Sequence, residues 1–262
     1  MISVSTTEIQ HPGGFVPNPV FIKGDGEPLV FFHGPFGQEW SGFLDDLATS
    51  KRVFAPAHAG SRDLSDLAIL DNLWDLLLYY DDIFAALGLK TFDLVGHSFG
   101  GMVAAEYAAT YPDRVRKLVL IDAMGLWNDN HPVADHLLAS PKTQAQLRFH
   151  NLDNPAVSKI LETSSNQSDE QAAATVRYLA LGSTSHFIHP IPERGLRRRL
   201  RRIAAPTLIV WGAEDQLTPR IYADEFASAI SNSRLEIVPD AGHTPYVEQQ
   251  GAVSAAVRNF LS

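Results

Sequence analysis

The stretch from Thr91 to Gly101, Thr-Phe-Asp-Leu-Val-Gly-His-Ser-Phe-Gly-Gly, restricts the fold more than any other part of this sequence. Phe92, Leu94 and Val95 read as a short buried strand, and the alanine-rich run from Met102 to Thr110 reads as a helix. Ser98 stands in the turn between them. A turn this tight has no room for side chains two places before and two places after the serine, and Gly96 and Gly100 remove them. The helix that follows aims its N-terminal amides, with their partial positive charge, at whatever is bonded to the serine oxygen. A strand, Gly-x-Ser-x-Gly and a helix together form an elbow that projects a hydroxyl out of the chain.

On either side of the elbow, strand-like and helix-like segments alternate. Leu29-Val30-Phe31-Phe32 is apolar without polar alternation, as expected of a strand covered on both faces. A helix is expected over Gln38–Thr49, with Trp40, Phe43, Leu44 and Leu47 on its buried face, then a strand at Val53-Phe54-Ala55. A long helix follows over about Ser65–Leu87, with Leu67, Leu70, Trp74, Leu77, Leu78 and Phe84 inward, Asp71, Asp75, Asp81 and Asp82 on a solvated face, and Gly88 as cap. After the elbow come a strand over Lys117–Asp122, another over Thr207–Trp211, a helix from Thr218-Pro219 to Ile230, a strand over Leu235–Val238, and a closing helix from Thr244-Pro245 to Leu261. Ile2 to Lys23, broken by His-Pro-Gly-Gly and Val-Pro-Asn-Pro, suits an edge hairpin. Such alternation implies parallel strands joined by right-handed crossovers.

Between Met124 and Arg202 the alternation stops. Helical pieces are expected near Pro155–Leu161 and after Ser168-Asp169-Glu170-Gln171, which has capping-box spacing. The arginines of Glu193–Ile203 invite a phosphate reading, but Leu196, Leu200 and Ile203 recur at helical spacing, so the arginines are expected on the wet face of an amphipathic helix. The expected organisation is a core of residues 1–123 and 204–262 with a mostly helical insertion, 124–203, standing over the sheet.

Composition narrows the partners. A formal net charge of −9 leaves no electrostatic footprint for nucleic acid, and 45% hydrophobic with 19% charged residues is an ordinary globular balance. No run approaches the length of a membrane span, and the first residues lack a basic, then apolar leader, so a cytoplasmic location and no membrane partner are expected. With no cysteine there is no disulfide, thiol nucleophile or thiolate metal site. The histidines His58, His131, His136, His150, His186 and His189 lack ligand spacing, so no metal is expected.

A serine hydroxyl is a poor nucleophile at neutral pH and needs a base within hydrogen-bond reach and a third group to orient that base. Parallel sheets present such groups beyond the carboxyl ends of their strands. Two candidates lie there, each after a glycine: Asp215, past the strand ending at Trp211, and His243, past the last strand. Asp122, ending the strand before the insertion, is the alternative acid. His97 is expected to pack inward and His33 to shape the loop His33-Gly34-Pro35-Phe36-Gly37.

With these motifs the chain resembles the α/β-hydrolase superfamily, of the type with a helical cap after the sixth strand. Leu29–Gly37, Gly96–Gly101, Pro206–Asp215 and Asp240–His243 carry the resemblance, which covers nearly the whole chain. It implies a mostly parallel central sheet flanked by helices, with Ser98 as nucleophile, His243 as base and acid, and Asp215 as the orienting carboxylate. It also implies two oxyanion donors, the amide of Phe99 and one from the loop after His33. Pro35 has no N–H, so the second donor is expected at Phe36. Gly34, Trp127 and Phe187 are expected to touch substrate, with Met124, Leu126, Phe149, Tyr178 and Leu179 as further candidates for an apolar acyl pocket. The implied activity is hydrolysis of small to medium, largely apolar carboxylic esters or lactones through an acyl-enzyme, without a cofactor, by a monomer or homodimer. Two alternatives stay open: carbon–carbon bond hydrolysis of ring-fission products, although relatives with that activity often carry tryptophan where Thr244 follows His243, and a receptor on the same fold that does not turn over its ligand.

Overall fold

The computed structural model describes residues 3–163 and 167–262, with the side chains of 163, 167–170 and 173 outside the description. Its centre is an eight-stranded sheet built from β1 (Ser5–Ile9), β2 (Asn18–Lys23), β3 (Glu27–Phe32), β4 (Lys51–Ala55), β5 (Phe92–His97), β6 (Val115–Ile121), β7 (Thr207–Gly212) and β8 (Ser233–Val238), in the order β1-β2-β4-β3-β5-β6-β7-β8. From β4 to β8 every pairing is parallel. The hairpin expected at the N-terminus is there: β1 pairs antiparallel with β2, and β2 antiparallel with β4.

The unbroken apolar strands are explained by a core on each face of the sheet. Val30, Phe32, Leu94, Leu118, Leu120, Ile209 and Trp211 pack into one cluster, and their sequence neighbours Leu29, Phe31, Val95, Val119, Ile121, Leu208 and Val210 into the other. Alternate side chains of a strand point to opposite faces, so both sets must be apolar when helices cover both. The first face is covered by α2 (Leu73–Ala86) and α3 (Phe99–Thr110), the second by α1 (Gly42–Leu47) and the C-terminal α10 (Gln250–Leu261).

Several helices differ from their sequence expectation, each for a local reason. The helix expected over 38–49 is shortened to α1 because Ser41 caps it, its Oγ accepting from Leu44 N at 3.4 Å. The long helix expected over 65–87 is a 3-10 turn (Leu64–Ala68) and then α2, because Asn72 Oδ1 accepts from Trp74 N and Asp75 N and starts a new helix. Within α2 the buried face is formed by Leu76, Leu77, Tyr80, Ile83 and Phe84, and Trp74 and Leu78 fall outside it, 55% and 42% exposed. Gly88 follows α2 in the left-handed region, φ 71°, as its position implied.

Between β6 and β7 the described residues hold α4 (Pro141–Arg148), α5 (Pro155–Thr163), α6 (Gln167–Ile188) and α7 (Leu196–Arg199). The Ser168 capping expectation falls on side chains outside the description. In α7 and the turn after it Leu196, Leu200 and Ile203 are buried as their spacing predicts, and Arg199 pairs with the buried Glu106 at 2.5 Å. After β7, α8 (Ile221–Ala229) starts three residues later than Thr218, whose side chain has another partner. The closing helix is broken at Gln249 into α9 (Pro245–Glu248) and α10. Among the described residues no helix is long and apolar enough to cross a membrane.

Candidate active site

The elbow forms where its glycines predict. Ser98 takes φ 56° and ψ −118°, a strained conformation for a residue with a side chain. It is held there by hydrogen bonds from its own N–H to Ile121 O (2.9 Å) and from Met102 N (3.1 Å) and Met124 N (3.0 Å) to its carbonyl. A Cβ on Gly96 would strike the Gly100 carbonyl, and one on Gly100 would strike the carbonyls of Phe32 and His33. The strain is thus imposed by backbone packed on backbone. Ser98 is also the residue before the first turn of α3, so the N–H groups of that turn, Phe99 first, have no intrahelical acceptor.

The three residues singled out beyond the strand ends meet. Ser98 Oγ lies 2.7 Å from His243 Nε2, and Asp215 Oδ2 lies 2.8 Å from His243 Nδ1. A carboxylate can only accept, so Nδ1 carries the ring proton and Nε2 is left to accept from the serine hydroxyl. Asp215 is itself oriented by the chain that follows it: Leu217 N and Thr218 N donate to its Oδ1 at 2.8 and 2.9 Å. Thr218 Oγ1, which the sequence suggested as a helix cap, instead shares the Nδ1 proton at 2.9 Å. An Asp followed by two backbone donors and a threonine is an Asx-turn pattern, the one signal that would have found it.

His97 does more than pack. Its Nε2–H donates to the carbonyl of His243 at 2.7 Å, fixing the backbone that carries the base, and Tyr246 O–H donates to its Nδ1 at 3.4 Å. Burial pushes the His97 imidazolium well below its usual range, and the neighbouring His243 pushes the same way, so the ring stays neutral and can play both parts. Asp122 is not the partner of His243. Its Oδ1 accepts from Gly212 N at 2.9 Å.

The loop after β3 lies against the serine. A Cβ on Gly34 would come within 2.8 Å of His97 Nδ1 and 3.5 Å of Ser98 Cβ, so only glycine lets the loop pass this close. His33 shapes it: Nδ1–H donates to Gly34 O at 2.7 Å while Nε2 accepts from His58 N at 3.2 Å. His58 returns a bond from Nε2–H to His33 O at 2.7 Å and takes the Tyr80 hydroxyl at Nδ1. Burial lowers His33 to about 4 and His58 well below its usual value, consistent with two neutral rings stapling adjacent loops. Phe36 sits in the turn with the Arg148 guanidinium 4.2 Å from its ring and the His136 ring 6.0 Å away.

Residues from the long insertion border this centre. Met124 is tied to the Ser98 carbonyl and lines a cavity of about 110 Å³ together with Trp127, Val133, His136, Ile188 and Pro192. Phe187 stacks near Phe99, centroids 6.1 Å apart, and lines a separate cavity of about 450 Å³ that no Ser98, Asp215 or His243 atom borders. His136 is buried with its Nε2 unpartnered, and burial lowers it to about 4. Tyr178, a candidate for the apolar pocket, is 72% exposed and does not line either cavity, whereas Met124, Leu126 and Phe149 are buried. Ser98 and His243 are both 0% exposed.

Comparison with known proteins agrees with this architecture. The family model described as alpha/beta hydrolase fold matches residues 27–250. Similar chains include 2-hydroxymuconate semialdehyde hydrolase of Pseudomonas sp., 29% identical over 92% of this chain and 88% of that one. Another is a monoacylglycerol lipase of Mus musculus, 27% identical over 80% of this chain and 66% of that one. Among solved structures, a meta-cleavage product hydrolase from Pseudomonas fluorescens superimposes with a TM-score of 0.75 at 21% identity, covering 97% of each chain. With residues 27–250, most of its length, matched by the family model, this chain belongs to the α/β-hydrolase fold family.

Proposed function

We propose that the chain is a serine hydrolase that cleaves carboxylic esters, with small to medium and largely apolar acyl groups, or lactones. The observation that carries this reading is the 2.7 Å separation of Ser98 Oγ and His243 Nε2, with Asp215 on the other ring nitrogen. The serine oxygen attacks the ester carbonyl as its proton passes to His243 Nε2, and Asp215 stabilises the imidazolium. The carbonyl oxygen becomes an anion facing the N–H groups of Phe99 and Phe36. Collapse of the tetrahedral intermediate breaks the bond to the alcohol, which leaves with the His243 proton. Water then attacks the acyl-enzyme by the same route, giving the acid and restoring the serine. In this reading residues 124–203 are a helical cap over a core of 1–123 and 204–262, and Gly34, Trp127 and Phe187 border the bound ester.

A second reading, hydrolysis of a carbon–carbon bond in a dienone acid, is favoured by the names of two of the similar proteins. Both readings use the same three side chains and differ in substrate. Turnover of a short-chain aryl ester panel and of a coloured dienone acid, by the wild type and by Ser98→Ala, decides between them. Ester hydrolysis lost by about 10³-fold or more in Ser98→Ala is expected. Equal rates for the two proteins on every ester would refute the proposal, and turnover confined to the dienone acid would select the second reading.

A further inference from the structure

Asp122 is a buried carboxyl that the proposed reaction does not use. It ends β6, is wholly buried, and holds φ 44°, a backbone conformation that Asp and Asn tolerate better than other side chains. Oδ1 accepts from Gly212 N at 2.9 Å, while Oδ2 is buried and receives no N–H or O–H. The Asp215 side chain is within hydrogen-bonding reach of Asp122, and Asp122, Asp215 and His243 each bring one polar atom within 4.8 Å of the others.

Two carboxylates at that range cannot both be ionised in a dry interior, so one keeps a proton. The surrounding donors decide which. Asp215 accepts two backbone N–H groups at Oδ1 and the His243 Nδ1–H at Oδ2, all of which favour its negative charge. Asp122 has one backbone donor, and among the groups near it, Glu248 and Tyr246 from α9, the Asp215 carboxylate and the His243 ring, there is no Arg or Lys to hold an anion. We infer that Asp122 carries the proton on Oδ2 and donates it to the Asp215 carboxylate, making it a positioning residue that fixes the plane of the group orienting His243. Burial and the adjacent Asp215 charge both push the Asp122 carboxyl well above the usual carboxylate range, in the same sense. The Ser98–His243–Asp215 line then has a fourth member behind it, which adds a side-chain donor to the backbone and imidazole donors already on Asp215.

The inference depends on the proposed serine chemistry only for its kinetic test, so an infrared measurement comes first. At neutral pH the wild type should show the C=O stretch of a protonated carboxylic acid that the Asp122→Asn spectrum lacks, so the band stands out in the wild-type-minus-variant difference spectrum. Asparagine keeps the shape, the neutral charge and an N–H donor, so Asp122→Asn should retain activity within about threefold with a superimposable pH profile. Asp122→Ala, which loses the donor, should lose about 10- to 100-fold in kcat with little change in KM, as is usual when the support of an active-site ligand is removed. Absence of the infrared band overturns the inference whatever the substrate proves to be. So does an Asp122→Asn profile whose acidic limb moves by a pH unit or more, because that would mean a negative charge had been deleted.

Discussion

Four buried histidines make the fold sensitive to acid in a way that can be measured. His33 and His136 are lowered by burial to about 4 in the native protein, against an ordinary value of 6.5. His58 and His97 are lowered in the same direction. A group whose native pKa lies below its unfolded one binds fewer protons folded than unfolded, so stability is intact above about pH 6.5 and falls as pH drops toward 4. Between pH 7.5 and 5 each of the first two should cost about 2 kcal/mol, or about 4 kcal/mol together, from the native and unfolded values just given. His58 and His97 add to this loss. Asp122 and Glu106, whose carboxyls are raised, oppose it, because a carboxyl that keeps its proton in the fold stabilises the fold as pH falls. Against a total stability of about 5–15 kcal/mol the net change is large. Guanidinium unfolding followed by far-ultraviolet circular dichroism at pH 7.5, 6 and 5, for the wild type and His136→Gln, isolates one histidine, because every other group cancels between the two proteins. The variant should lose about 2 kcal/mol less than the wild type over this interval. Identical pH dependence in the two would refute the reasoning, since it would mean that His136 takes up its proton as freely in the fold as in the unfolded chain.

Gly100→Ala should leave little soluble folded protein, because the added methyl meets the carbonyls of Phe32 and His33, which sheet pairing and the adjacent loop hold in place; a wild-type melting temperature would contradict this. Thr218→Val keeps volume but removes the oxygen 2.9 Å from His243 Nδ1. It should lower kcat by about fivefold with KM nearly unchanged, as expected for the loss of one orienting hydrogen bond of about 1 kcal/mol, and unaltered steady-state kinetics would show that Asp215 alone orients the ring.

Short-range rules made much of this chain legible before any coordinates. The elbow is a collision argument about two glycines and a serine, and it needs only residues 96 to 100. Leu29–Phe32 and Lys117–Asp122 could be read as strands covered on both faces because no polar residue interrupts their apolar run. Asp215 and His243 were candidates because parallel strands end at one rim, so loops after them are neighbours whatever their separation along the chain.

Other features depend on contacts that no local pattern contains. Trp74 and Leu78 stand one helical turn apart, as buried residues do, yet the face of α2 that packs on the sheet is the one with Leu76, Tyr80 and Ile83, and both are exposed. The order of β1, β2 and β4 at one edge of the sheet, and the break at Gln249, belong to packing between distant segments. The bonds from His97 to the His243 carbonyl and from Thr218 to its ring join residues 146 and 25 positions apart, and nothing beside His97 in sequence marks its partner. The division of labour between Asp122 and Asp215 is of the same kind. Both follow strands, both are buried, and only the count of N–H groups around each, a property of the assembled sheet, separates a carboxylate from a carboxylic acid. Sequence alone determined where a turn, a strand and the serine between them must lie, because sterics acts over a few residues; the tertiary structure decided which donors and how much burial each polar side chain meets, because those are supplied from the whole chain.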